Sequence, residues 1–168
     1  LHLRDIRSTG GSIGFSLTGA QFCEFEHVFA SGSTIGISLN GASNSNAFRR
    51  CTMLSLTAGA FRPFFPACGN YLENCVAQSR DSAAYALVGF AVTNMEGCIG
   101  TGSYAIGFDS YPQLFGSHNI FYPTKAFSVA YETLFDFQSV YTNWHHNTVA
   151  DPKFVNAGGL DFHLLSAA

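Results

Sequence analysis

The sequence repeats itself about every 24 residues, and this period constrains the fold more than any other feature. Three kinds of position recur in step over five turns, which indicates a solenoid with one structural unit per repeat. The first column is Asn, the second is mostly Cys, and the third is apolar or aromatic. In order, their members are Asn46, Asn70, Asn94, Asn119 and Asn143; His27, Cys51, Cys75 and Cys98; and Ile37, Phe61, Tyr85, Phe108 and Tyr131.

Each repeat contains short apolar segments with the character of strands. They are roughly four to six residues long, rich in Phe, Tyr, Ile and Val, and separated by Gly, Ser, Asn and Pro. A leucine-rich repeat would need a regular framework of Leu and Asn, and a propeller blade needs about 40 residues. We therefore predict an all-β fold, a right-handed single-stranded parallel β-helix of about six to seven coils, each of about 24 residues.

The repeating columns have structural explanations in such a fold. The apolar column is predicted to stack as an aromatic ladder in the interior. Cys51, Cys75 and Cys98 are predicted to be small buried residues at a tight corner, with free thiols. His27, in the same column, is predicted to be a core or end-facing histidine and not a metal ligand. Asn suits corners because it tolerates left-handed backbone and its amide bonds to turn backbone or to the next Asn.

Composition argues against several classes of function. With a net charge of -3 and 11% charged residues, the chain has no basic stripe, so no nucleic-acid partner is expected. No apolar run is long enough for a transmembrane helix. The five Cys residues include no CxxC pair, which leaves a zinc site unsupported. The segment NWHHN (143–147) is not predicted to bind metal, because adjacent side chains of an extended strand point to opposite sides.

Two features resemble a known family. They are the corners in NYLENCVAQS (70–79) and NMEGCIGTG (94–102), and the terminal stretch ADPKFVNAGGLDFHLL (150–165). Through them the chain resembles the pectate-lyase-like superfamily of right-handed parallel β-helix proteins over essentially its whole length. The resemblance implies one domain, with coils at 1–149 and a closing segment at 150–168, in a bacterial or phage-type protein that is secreted or lies on the cell surface. The residues that match the DPxFV…DFxL closing element are Asp151, Pro152, Phe154, Val155, Asp161, Phe162 and Leu164.

The resemblance also implies a site, because superfamily members that cleave acidic polysaccharides do so in a groove along one sheet. The outward column beside the apolar one holds two carboxylates, Asp109 and Glu132, predicted to stand one rung apart, at about 5 Å. Their oxygens would hold Ca²⁺, and the ion would neutralise a uronate carboxylate while an Arg acts as base or clamp. The predicted site therefore has Arg62 and Arg80 as catalytic residues, Asp81, Tyr104 and Ser38 as substrate contacts, and Asp109 and Glu132 as calcium ligands.

Three interpretations of function stay open. The first is a polysaccharide lyase acting on a uronate polymer. The second is a glycoside hydrolase with two carboxylates as acid and base, which is less favoured because the GHG and paired-Asp motifs of such enzymes are missing. The third is a structural or adhesive solenoid, such as an adhesin or a tailspike-like stalk, whose exterior charges are simply solvated. We predict an extracellular protein that binds polysaccharide, and whether it cleaves the polymer is left open.

Overall fold

A computed structural model describes residues 1–64, 67–87, 93–108, 114–126, 128, 132–156 and 161–164. These residues form a parallel β-solenoid of about five turns with one short helix. The strands are β1 His2–Arg4, β2 Arg7–Thr9, β3 Ile13–Thr18, β4 Glu24–Glu26, β5 Phe29–Gly32, β6 Ile35–Asn40, β7 Ala47–Arg49, β8 Thr52–Ser55, β9 Gly59–Pro63, β10 Asn70–Glu73, β11 Val76–Leu87, β12 Thr93–Glu96, β13 Ile99–Phe108, β14 Leu114–Ser117, β15 Ile120–Ala126, β16 Trp144–His145, β17 Thr148–Val149, β18 Phe154–Asn156 and β19 Asp161–Leu164. The helix α1 spans Leu134–Val140.

Each turn carries up to three strands, one on each face of the solenoid. The first face is a seven-stranded sheet in the order β1-β4-β7-β10-β12-β14-β16. The second runs β2-β5-β8-β11-β13-β15-β17, and the third begins with β3, β6 and β9. The long strands β11 and β13 serve both the second and the third face, with irregular pairing where they pass from one to the other. All these pairings are parallel, so equivalent positions of successive turns lie one strand spacing apart, about 4.8 Å.

In the described part of the chain, two corners of the solenoid use the same two-residue device. A residue with a positive φ of between 52° and 63° turns the chain, and the next residue points inward. At the corner before the first sheet the pairs include Phe22–Cys23, Ser45–Asn46 and Gly69–Asn70. At the corner after it they include His27–Val28, Arg50–Cys51, Asn74–Cys75, Gly97–Cys98, His118–Asn119 and His146–Asn147. The recurring Asn and Cys therefore mark where the chain bends.

Inward Asn side chains at these corners form hydrogen-bonded ladders. At one corner, Asn46 Nδ2 donates to Asn70 Oδ1 at 3.1 Å, and Cys23 N donates to Asn46 Oδ1 at 3.1 Å. At the other, Asn119 Nδ2 donates to Asn147 Oδ1 at 2.8 Å. Asn46, Asn70 and Asn119 are buried, so their bonds satisfy polar groups that water cannot reach. The predicted role of Asn at the corners is thus present in two separate ladders.

The constant spacing misplaced several members of the first two columns, namely Asn94, Asn119 and Asn143 in the first and His27 in the second. Asn94 pairs with Tyr71 on the exposed side of the first sheet, one position away from the inward column that contains Asn70. His27 occupies the positive-φ corner position, and Val28 is the residue that lies beside Cys51. The Nδ1 atom of His27 instead lies 3.3 Å from Asp5 Oδ1 at the surface. Cys and Asn side chains occupy the inward corner positions. His27 does not occupy one of these positions.

The core is apolar and aromatic, as the third column predicts over part of its length. Ile37 pairs with Phe61 and Phe61 with Tyr85, and all three are fully buried. The prediction that Phe108 continues this column is wrong, since Tyr85 pairs with Ile106 and Phe108 pairs with Leu87. Turn lengths vary by a few residues, so equal spacing in sequence does not guarantee equal register.

The last turn departs from the three-strand plan. A capping box at Thr133 and Asp136 starts α1, whose Phe137 is fully buried and makes an edge contact with Trp144 at a ring separation of 5.3 Å. Further on, β18 and β19 pair antiparallel as a separate two-stranded sheet. Residues 151–154, which lead into this sheet, contribute to the site described below.

Candidate functional site

A concave surface formed by described residues runs along the solenoid where the second face turns toward the third. We call it the corner groove. It consists of two depressions of about 690 Å³ and about 480 Å³, which meet at Gln78 and Arg80 because these two residues line both. The first depression is lined by Gly10, Gly11, Ser31, Gly32, Ser33, Leu54, Ser55, Leu56, Gln78 and Arg80, and the second by Gln78, Ser79, Arg80, Thr101, Gly102, Tyr122, Thr124, Asp151, Pro152, Lys153 and Phe154.

The groove follows one outward column of the second sheet. Side chains alternate between the two faces of a strand, so the buried neighbours Ala30, Met53 and Ala77 place the next residues of these strands outward. The outward column contains one residue from each of five successive rungs: Ser31, Leu54, Gln78, Thr101 and Tyr122.

The walls offer hydroxyl and amide groups together with a few apolar surfaces. Ser55 Oγ donates to Ser79 Oγ at 3.0 Å beneath the groove, which fixes the position of both buried hydroxyls. Leu56 and Tyr122 are 42% and 44% exposed, so their apolar surfaces face solvent within the groove. Polar groups beside exposed aromatic or aliphatic faces are the usual composition of a ligand site.

The middle of the groove contains the ion pair of two predicted site residues, Arg80 and Asp81. The Arg80 guanidinium donates to both carboxylate oxygens of Asp81, with the shortest distance 2.9 Å. This contact lowers the pKa of Asp81 and raises the pKa of Arg80, because each charge stabilises the other. Both side chains are exposed, so the pair contributes little to stability.

A second ion pair lies at the end of the groove, on the segment that precedes β18. Lys153 Nζ lies 2.8 Å from Asp151 Oδ2, and Asp151 Oδ1 accepts the backbone N–H of Lys153. These bonds lower the pKa of Asp151, while Asp151 raises the pKa of Lys153. Pro152, which lies between Asp151 and Lys153 in the sequence, is buried. The segment therefore forms a wall of the groove beside Tyr122.

Ser38 and Arg62, predicted to share an outward column, do pair in register on the third face. Ser38 is only 1% exposed, however, and accepts a hydrogen bond from Asn40 Nδ2 at 3.0 Å, so the described structure does not present it as a substrate contact. Arg62 is half-buried, with its guanidinium 4.7 Å from the Phe64 ring centroid. Among the described residues its Nε has no hydrogen-bond partner. Neither residue lines the corner groove.

The predicted carboxylate pair lies only partly within the described residues. In the observed register Ala86 pairs with Gly107, so the position opposite Ala86 that was assigned to Asp109 belongs to Gly107. Asp109 itself lies outside the described residues. Glu132 lies just before α1, beside its N-cap Thr133, and is not in a strand. Its exposed side chain lines a shallow pocket with Lys125 and Leu134.

Tyr104 is half-buried on β13, where it pairs with Ala83 and Ala126, and it does not line the corner groove. Two aromatic residues among those described line the groove, the exposed Tyr122 and the half-buried Phe154. Within the described ranges, no group of three or more His, Cys, Asp or Glu side chains is placed to hold a metal ion. The predicted calcium site stays a prediction.

Little in the sequence identified the remaining groove residues as members of a site. Ser31, Gln78 and Thr101 are ordinary polar residues, and only the observed register shows that they share a column. Asp151 and Lys153 belong to the predicted closing segment, where their contribution to a groove wall had not been anticipated. Strand alternation could have identified the outward positions, since Ala30 and Ala77 are recognisable as inward residues.

Comparison of the chain with models of protein families, with curated proteins and with solved structures gives no match. No helix in the described part of the chain has the length and apolar character of a membrane span.

Proposed function

We propose that this protein binds an extended polysaccharide chain in the corner groove. The observation that carries the proposal is the continuity of the groove over five rungs, from Ser31 to Tyr122, with hydroxyl and amide groups along it and an exposed ring at one end. A long open groove suits a polymer better than a compact cofactor, which proteins normally enclose in a deeper pocket. A tyrosine ring offers an apolar face for stacking against a sugar ring.

The resemblance to the pectate-lyase-like superfamily supports the same class of partner. With it we propose an extracellular location, right-handed winding, six to seven coils and no nucleic-acid partner. Right-handed winding agrees with the strong preference of parallel strand crossovers for that hand. Arg80 and Asp81, predicted as catalytic and substrate-contacting residues, are the members of the predicted site that line or adjoin the groove.

Binding without cleavage is the form of the proposal that the described residues support. The groove holds Asp151 as a lining carboxylate, and that group is bonded to Lys153. A lyase or hydrolase would need a free acid or base beside the scissile bond. The protein is thus proposed to act as a glycan-binding solenoid, of the adhesive or attachment type.

A ring-removal experiment tests the proposal. Tyr122→Ala removes the exposed ring of the groove, whereas Phe115→Ala removes a ring of similar exposure, 39%, from the first face. We expect retardation in gels containing pectate, alginate, mannan or xyloglucan for the wild type and for Phe115→Ala with at least one polymer. Tyr122→Ala is expected to bind that polymer about tenfold more weakly, the loss of roughly 1.4 kcal/mol.

Three results would refute the proposal or change it. Failure of the full chain to bind any polysaccharide would refute it, as would equal weakening by Phe115→Ala and Tyr122→Ala. Ultraviolet absorbance from unsaturated product, generated with or without calcium, would replace simple binding by the lyase interpretation.

A further inference from the structure

We infer that the ligand of the corner groove is an uncharged, extended β-1,4-linked glycan that places one sugar on each rung of the solenoid. This inference rests on the proposed function and adds the substrate class. Two independent observations carry it, namely the spacing of the outward column and the pairing of the charges that line the groove.

The spacing argument starts from the five residues that form the outward column. Ser31, Gln78 and Tyr122 mark its beginning, middle and end, with one residue on each intervening rung. Adjacent rungs of a parallel sheet are about 4.8 Å apart. A pyranose chain with both linkage bonds equatorial is nearly straight and advances by close to this distance per sugar. Each rung can therefore contact one sugar, with neighbouring sugars presenting alternate faces because they are related by about half a turn, whereas a helical α-linked chain would lose register after one or two contacts.

The charge argument concerns Arg80 and Lys153, the cations that line the groove. Each already has a carboxylate partner at hydrogen-bond distance, Asp81 at 2.9 Å and Asp151 at 2.8 Å. A polyuronate would bring one negative charge per sugar and would have to displace these carboxylates. The chain as a whole carries a net charge of -3, which also repels a polyanion.

The remaining lining groups match the hydroxyls of a neutral sugar. Ser33 and Gln78 offer a hydroxyl and an amide, both of which donate and accept hydrogen bonds. Leu54 forms apolar floor on the second rung of the column, and Tyr122 provides a ring at the end. Sugar C–H faces pack on such surfaces while the hydroxyls at the ring edge reach the polar walls.

Oligosaccharides of β-1,4-linked mannose and of β-1,4-linked mannuronate give a matched test, since they share linkage and ring configuration and differ in the carboxylate. Titration calorimetry of the full chain with each series, from dimers to hexamers, measures the affinities. We expect the mannose pentamer to bind at least about tenfold more tightly than the mannuronate pentamer. Affinity is expected to rise with each added sugar and to level off at about five, because five rungs line the groove.

The controls separate this inference from the proposal beneath it. Mannuronate binding equal to or tighter than mannose binding would overturn the uncharged class while leaving polysaccharide binding intact. Equal binding of α-1,4-linked glucose oligomers would overturn the one-sugar-per-rung register. Absence of binding by these oligomers and by every polymer in the gel experiment would remove the proposed function itself. A weakened response to the mannose pentamer in Tyr122→Ala, but not in Phe115→Ala, is the positive result that locates the site.

Discussion

Asn119 and Asn147 lie on adjacent rungs although 28 residues separate them in sequence, and the side-chain amide of the first donates to Oδ1 of the second at 2.8 Å. Asn119 Oδ1 in turn accepts the backbone N–H of Cys98 at 2.8 Å. Asn119 Nδ2 also donates to the carbonyl of Met95. One side chain thus ties together three turns of the solenoid and satisfies buried polar groups on each.

Replacement of Asn119 by Ala should destabilise the protein strongly. The change leaves the buried Cys98 N–H and Met95 carbonyl without these partners, and an unsatisfied buried group costs about 1–3 kcal/mol. We expect the free energy of unfolding in urea to fall by about 3 kcal/mol. Asn94→Ala is the control, because Asn94 is exposed on the first face and should change stability by less than about 0.5 kcal/mol. Similar losses in both variants would contradict a special role for the ladder.

Cys98→Asn should extend this ladder by one rung. The Sγ of Cys98 lies 3.5 Å from the Leu72 carbonyl, and Leu72 pairs with Met95, whose carbonyl accepts from Asn119. An Asn side chain at position 98 would therefore find an equivalent acceptor. We expect the unfolding free energy to stay within about 1 kcal/mol of the wild type, whereas the larger Cys98→Leu should lose about 1–3 kcal/mol by overpacking. Equal losses would show that thiol and amide are not interchangeable at this corner.

The stability of the protein should fall in alkaline solution. Burial raises the pKa of the Cys75 thiol well above its ordinary value, because the interior disfavours the thiolate. The unfolded chain therefore releases this proton at lower pH than the folded chain does, and the unfolded state gains stability from about pH 8.5 upward. Denaturant titrations between pH 7 and pH 9.5 should show a declining free energy of unfolding, with a shallower decline in Cys75→Ala. A free energy that rises over this range would contradict the burial of the thiol.

Arg80→Ala tests whether the centre of the corner groove contacts the ligand. Its matched control is Arg50→Ala, which removes another exposed Arg that is paired with a carboxylate, Glu26, but at the corner that follows the first face. Both variants should fold with nearly unchanged stability, because exposed ion pairs contribute little. We expect Arg80→Ala to alter the affinity for a bound polysaccharide about three- to tenfold, and Arg50→Ala to leave it unchanged. Unchanged affinity in Arg80→Ala would place the ligand elsewhere.

The repeating architecture was predictable because the corners demand particular residues. A bend with positive φ followed by a small inward group favours Asn, Gly and Cys, and these types recur in the sequence at one interval per turn. The register was less predictable. Cys98 and Asn119, which occupy equivalent corners, are 21 residues apart, whereas Asn119 and Asn147 are 28 apart. Turns absorb such differences without changing the ladder, so a constant spacing misplaces residues such as Phe108.

Two of the site residues named from the sequence lie at the groove, where Arg80 lines the wall and donates hydrogen bonds to Asp81. Ser38 was expected at the surface but is buried, because both sides of β6 are covered and sequence alternation alone does not reveal this. Tyr122 lies in the groove because of the register of β15 against β13 and because residues 151–154, in the predicted closing segment, lie beside it. Contacts between residues so far apart in the chain cannot be recognised from the local sequence.

The two-residue corner has a consequence for how a protein of this kind can change length. Cys98 and Asn119 have the same role at equivalent bends. A complete coil could therefore be deleted or duplicated, and each new junction would join compatible coils. The corner groove would then shorten or lengthen by one rung. Under the proposed function, genetic addition or loss of whole coils would set the length of glycan that the groove accommodates.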